Sequence, residues 1–215
     1  MRVLILTWEF PPKIVGDLAQ YVSKVAAQLV RKNIDVYVVT HDDSRTGLDQ
    51  RQDGLKVFRV ANPVKTHISV LTWDLTLAPE FERASSDIIY STAGTVSLID
   101  AHEWLCVIPA IALKKAFDIP FVYSVHSIED QRSRGAISPF NLAITNVERL
   151  GCAEAERVLI ESTEMRDELK IRYGVSPNKI DVVQPSSDTW IDDIVKVYEK
   201  AMRTPLQDFW RLVEA

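Results

Sequence analysis

Histidines, carboxylates and a lysine recur in this sequence just downstream of short apolar runs, where chemistry is expected. His102, Glu103 and Trp104 form one such group, and His126 follows the run IPFVYSV. A neutral imidazole donates to or accepts from a hydroxyl, so His126 is a candidate for handling a substrate oxygen; the competing reading is a capping or structural ring. Glu103 opens a helical segment, where a carboxylate either meets a ligand or only complements the positive helix end. Trp104 either stacks on a sugar face or belongs to the core. Glu129, Arg132 and Arg134 lie in a polar stretch after His126 and are either solvated or turned toward a ligand. The segment TWEFPPKIVGDL adds Lys13, which can neutralise a phosphate or sit in water. Gly16 in that segment permits a positive φ or close approach of a ligand. Helix N–H groups beyond it can face an anion, unless Asp17 satisfies them as a cap or first-turn carboxylate. No G-x-G-x-x-G fingerprint and no Gly-Lys-Ser/Thr loop occurs, which argues against a dinucleotide enzyme and a P-loop.

These residues need a scaffold, and the apolar periodicity supplies one. Branched apolar runs predict strands over 3–6, 34–39, 55–60, 87–90, 120–125, 158–160 and 180–183. Helical spacing predicts helices over 17–32, 73–83, 102–117, 137–156, 163–173 and 189–202. The polar stretch before residue 55 is expected to be an exposed loop. Strand and helix alternate, which predicts an α/β fold: a doubly wound, mostly parallel sheet with helices on both faces. One domain over 1–185 is expected, with a helical tail over 186–215 packed on it. Ligands of such sheets bind beyond the carboxyl ends of the strands, which marks 7–18, 91–95, 102–104 and 126–134.

Composition narrows the class. The chain has 215 residues, 47% hydrophobic and 26% charged, so it can bury a core and is not expected to be disordered. Its net charge of −5 and lack of a basic tract argue against a nucleic-acid partner. Cys106 and Cys152 are far apart and without close ligand companions, so buried thiols are expected rather than a disulfide or a metal site. No apolar run reaches the ~18 residues a membrane span needs. The opening MRVLILTWEF has strand character and no cleavage region, so a cytoplasmic protein is expected.

The segment TWEFPPKIVGDLAQYV resembles the opening of GT-B glycosyltransferases of the glycogen and starch synthase kind. That opening is a strand, E-x-x-P, a lysine, a glycine pair and a long helix. Glu9, Pro12, Lys13 and Gly16 match, and Asp17 stands in place of the second glycine. AHEWL is similar to the family's H-D/E-W segment, and IPFVYSVHS to its I-P-x-V-x-T-x-H strand. AERVLIESTEMRDELKIRYGVSPNKIDVV is similar to the stretch before the crossing to a second domain. The likeness spans residues 1–184.

The resemblance implies the Rossmann-like, acceptor-side half of a retaining α-glucan synthase. Such an enzyme moves glucose from ADP- or UDP-glucose to an α-1,4-glucan without a metal or cofactor. It implies catalytic roles for His126 and Glu103. Lys13, Gly16 and Arg132 would meet the donor phosphate and sugar; Glu9, His102 and Trp104 would meet the acceptor. A carboxylate at position 17 should repel a diphosphate. The second Rossmann-like domain, which in the family holds most of the nucleotide, has no counterpart here. Little or no turnover is therefore expected of these 215 residues alone. The alternatives are a non-enzymatic glucan-binding module and a subunit completed by a separate donor-binding domain.

Overall fold

A computed structural model describes residues 1–52 and 54–204. Its strands are β1 (Arg2–Leu6), β2 (Asp35–His41), β3 (Gly47–Gln52), β4 (Leu55–Val60), β5 (Leu98–His102), β6 (Phe121–Ser124), β7 (Arg157–Ile160) and β8 (Ile180–Val182). The helices are α1 (Asp17–Arg31), α2 (Val70–Ser91), α3 (Val107–Phe117), α4 (Glu129–Arg132), α5 (Pro139–Glu154), α6 (Thr163–Tyr173) and α7 (Trp190–Arg203). One sheet runs in the order β3-β4-β2-β1-β5-β6-β7-β8. All pairings are parallel except the edge strand β3, which lies antiparallel on β4.

Side-chain alternation along the strands builds two cores. Leu4, Leu6, Val39, Ile99 and Tyr123 point to the side covered by α2, α3, α5 and α6. Val3, Ile5, Val38, Leu98 and Val122 point to the side covered by α1 and α7. Both faces being buried explains why the strands read as nearly continuous apolar runs. Helix α7 seats Ile191, Ile194, Val197 and Tyr198 in the second core. Residues 205–215, with Phe209, Trp210 and Leu212, lie outside the described residues. No helix among the described residues is long and apolar enough to cross a membrane.

Three expectations are corrected. Residues 87–90 are the last turns of α2, not a strand. Ile88 and Ile89 continue the buried stripe of Leu77, Phe81 and Ala84, so helical packing overrides their β-branched character. The polar stretch before residue 55 contains β3, whose exposed edge position explains its composition. His102 ends a strand rather than opening a helix; a 3₁₀ turn, Trp104–Cys106, then leads into α3.

From β1 the chain winds outward to β2 and β4, then returns to place β5 on the other side of β1. The crevice beyond the ends of β1 and β5 is therefore the topological switch point, where this architecture binds ligands. Of the four marked segments, 91–95 lies at the opposite end of the sheet. It follows α2 and meets the start of β1, where the Arg2 guanidinium donates to Thr95.

Close packing behind the crevice has one measurable consequence. A Cβ at Gly151 on α5 would stand 2.7 Å from Val107 Cγ2 and 3.0 Å from the Tyr123 ring. Both neighbours are fully buried and cannot swing away. Gly151→Ala is expected to lower stability by about 2 kcal/mol despite its better helix propensity. Chemical denaturation checks this; an unchanged midpoint would contradict it.

Candidate active site

A cleft of about 600 Å³ opens at the switch point, lined among others by Trp8, Gly16, Trp73, Glu103, Trp104 and His126. Trp104 is 6% exposed and packs with Leu105 and Ile144; Trp8 and Trp73 are half-buried against that cluster. Three tryptophans thus wall one cleft, though only Trp104 stands out in the sequence by its neighbours.

The loop after β1 closes on itself. Buried Glu9 accepts hydrogen bonds from the N–H groups of Val15 and Gly16. Those amides sit where the start of α1 would otherwise offer its donors to an anion. Gly16 has φ −145°, an ordinary extended conformation, so the positive φ considered for it is not used. Asp17 is the first residue of α1 and adds negative charge there. Lys13 faces a separate depression with Pro12, His41 and Asp42. Its ammonium contacts His41 Nδ1. Burial lowers the Lys13 pKa against the opposing pull of Asp42, Asp43 and Glu9. The structure therefore does not bring Lys13 into the cleft with His126.

Glu103 has φ 66° and ψ 166°, a region that costs a non-glycine residue about 1–3 kcal/mol. Its side chain explains why the geometry persists. Oε1 accepts from the backbone N–H groups of His126 (2.8 Å) and Ser127 (2.9 Å). Oε2 accepts from the Ser127 hydroxyl and, at 3.2 Å, from Arg132. Glu103 thus fixes the loop that carries His126.

Arg132 is the hub of the neighbouring wall. Its guanidinium also donates to Glu129 and Glu148. Glu129 is buried and held by Arg132 and Asn141, not solvated. Glu148 is buried as well; burial raises its pKa, countered by the Tyr173 hydroxyl and Arg132. One cation facing three carboxylates is poorly placed to receive a phosphate.

Beneath the cleft floor runs a chain of polar contacts. His126, 16% exposed, places Nδ1 2.9 Å from Glu161 Oε1 and Nε2 2.9 Å from His102 Nδ1. His102 is buried and does not itself line the cleft. Its Nε2 lies 3.1 Å from Asp100 Oδ2. Asp100 also accepts from the Ser124 hydroxyl at 2.6 Å and from the Tyr198 hydroxyl. Burial acts to raise the Asp100 pKa, but His102, Ser124 and Tyr198 hold it below the usual carboxylate range. Tyr21 of α1 sets its ring edge-on to both imidazoles. Sequence reading missed Asp100, Glu161, Tyr21 and Tyr198. A polar Asp and His alternating within the otherwise apolar LIDAH was the available signal.

The fold and its cleft define the class: a Rossmann-like half of a GT-B glycosyltransferase, the N-terminal one. The model of Glycosyltransferase Family 4 matches residues 18–190, and the chain belongs to that family. An uncharacterized glycosyltransferase of Methanocaldococcus jannaschii is 29% identical over 204 residues, covering 93% of this chain and 50% of that protein. A glycogen synthase of Mycobacterium tuberculosis is 27% identical over 203 residues, covering 87% and 49%. The structure of sucrose-phosphate synthase from Thermosynechococcus elongatus superposes with TM-score 0.70 at 16% identity, covering 85% and 47%. The chain spans about half the length of the curated relatives it matches.

Proposed function

We propose that this chain is the acceptor-side domain of a retaining hexosyltransferase, moving glucose from ADP- or UDP-glucose to an α-1,4-glucan. The observation that carries this reading is the cleft itself. Trp8, Trp73 and Trp104 flank a partly exposed His126 at the switch point. Aromatic faces suit the apolar faces of glucose rings, and an imidazole suits their hydroxyls. In this reading His126 meets the transferred sugar, and Glu103 keeps its loop in place. As the resemblance implies for this chemistry, the leaving phosphate would help deprotonate the acceptor hydroxyl on the same face.

The donor side is weak in these residues. The amides of Val15 and Gly16 are taken by Glu9, Arg132 by three carboxylates, and Lys13 points elsewhere. Developing negative charge on a leaving diphosphate needs free donors or cations. The 215 residues alone are therefore expected to bind glucan but to release almost no nucleoside diphosphate from either sugar nucleotide. Maltotetraose should give a saturable change in tryptophan fluorescence, weakened about tenfold by Trp8→Ala, or ~1.4 kcal/mol. Absence of any saturable change at millimolar sugar would overturn the glucan reading. Rapid turnover with glycogen would overturn the donor-side reading.

A further inference from the structure

The imidazoles of His102 and His126 make three contacts in series: Asp100 to His102, His102 to His126, and His126 to Glu161. All three distances lie between 2.9 and 3.1 Å. Every hydrogen bond contains one proton, and a neutral imidazole carries one N–H. Two neutral rings therefore supply two protons for three bonds.

The third proton has few possible homes. Asp100 is not one of them. Its oxygens already accept from Ser124, Tyr198 and His102, so a proton on that carboxyl would displace a donor. The other groups against the rings are Tyr21 from α1, Tyr198 from α7, and Trp190, which reaches them through Tyr21. The phenol of Tyr21 is kept protonated by burial and then by the nearby carboxylates of Glu161 and Asp100. None of these groups is a cation, and Glu161, with its side chain 38% exposed, keeps its carboxylate in contact with water, which favours the ionised form; the charge that balances the two carboxylates is therefore assigned to the imidazole pair.

We propose that His102 and His126 share one proton more than two neutral rings carry, and that buried Asp100 is the positioning residue that keeps it there. This rests on the reading that His126 faces a sugar. The unit acts at its outer end. Both ring nitrogens of His126 are occupied, the inner one by buried His102 and the outer one by Glu161, whose side chain is 38% exposed. An incoming hydroxyl inserts between His126 and Glu161. It accepts the ring N–H and donates to the carboxylate. Donor and acceptor are thus presented together to one hydroxyl group, which selects a neutral polyol oxygen over a phosphate oxygen, since the latter cannot donate.

The 215-residue chain contains four histidines, which suits nitrogen-15 NMR of the side chains at neutral pH. The expected spectrum shows three of the four ring nitrogens of His102 and His126 protonated, linked by a coupling across the bond between the rings. Glu161→Gln, at the exposed end, and Asp100→Asn, at the buried end, should each reduce the count to two. Two protonated nitrogens in the unaltered chain would overturn the proposal, as would three persisting in both variants. If Asp100→Asn fails to fold, Glu161→Gln decides the matter, because its side chain carries no core packing. Maltotetraose should then shift the outer nitrogen of His126 and leave the inner one nearly still. Three protons with no response to the sugar would support the shared proton and overturn the transferase reading instead.

Discussion

Replacing Arg132 with methionine is expected to destabilise the protein by about 3 kcal/mol near neutral pH. The guanidinium is bonded to Glu103, Glu129 and Glu148, whose side chains are 11%, 8% and 1% exposed. Removing it leaves buried carboxylates facing one another with little water to screen them, and this is costlier than the loss of a surface ion pair. The pH dependence follows in sign. Burial already raises the Glu148 pKa, and Arg132 is one of the groups that oppose the rise, so without it that folded-state pKa climbs further above the unfolded value. The folded protein then binds more protons than the unfolded chain, so stability falls as pH rises through that range. The deficit should be largest near about pH 8 and shrink toward about pH 5. Arg132→Lys keeps a charge but loses the fork that reaches three partners, so it should recover part of the loss. Urea unfolding at several pH values measures this. A deficit independent of pH would show that packing of the stem, and not charge, was lost. The effect also reaches the cleft: Glu103 holds the His126 and Ser127 amides, so loosening it should weaken sugar binding alongside stability.

The architecture was largely legible because its strands are buried on both faces. Runs such as VLIL and VYVV have few other places to go in a chain whose intervening segments carry helical stripes. Besides the edge strand β3, the strand that escaped was β5, and the reason is informative. Two of the five residues of Leu98–His102 are polar, and polar residues in a buried strand contradict the pattern unless they have partners. Asp100 and His102 have them, but the partners come from residues 124, 126 and 198. Only the assembled sheet and α7 bring these together, so no local spacing could announce the chain of contacts. The same holds for the aromatic wall. Trp8, Trp73 and Trp104 stand on three separate segments and meet only at the switch point. His126 and the HEW segment were visible because they lie at strand ends. The handling of charge was not visible: Lys13, Glu9 and Arg132 read as groups open to a ligand, and each proves engaged with the protein.

Asp74 is expected to show the opposite response: its replacement should stabilise the protein at alkaline pH. It lies on the inner stripe of α2 in step with Leu77, Ala78 and Phe81, 4% exposed, with Oδ1 lacking a partner. Burial raises its pKa from 3.8 to about 7. Its charge reaches Cys106, whose thiol is pushed up first by burial and then by Asp74. A carboxyl with a raised folded-state pKa contributes no penalty while both states are protonated. As pH climbs past the unfolded value, the unfolded chain ionises and the folded one does not, so stability drains away until the folded group ionises too. Over the full interval the loss amounts to about 2 to 4 kcal/mol. Asp74→Asn removes the titration while keeping the shape. Relative to the parent, it should be neutral or slightly destabilising near about pH 2, where Asp74 is uncharged in both states, and more stable by about 2 kcal/mol or more near about pH 8. Parallel denaturation curves for the two chains at these pH values would sink the assignment.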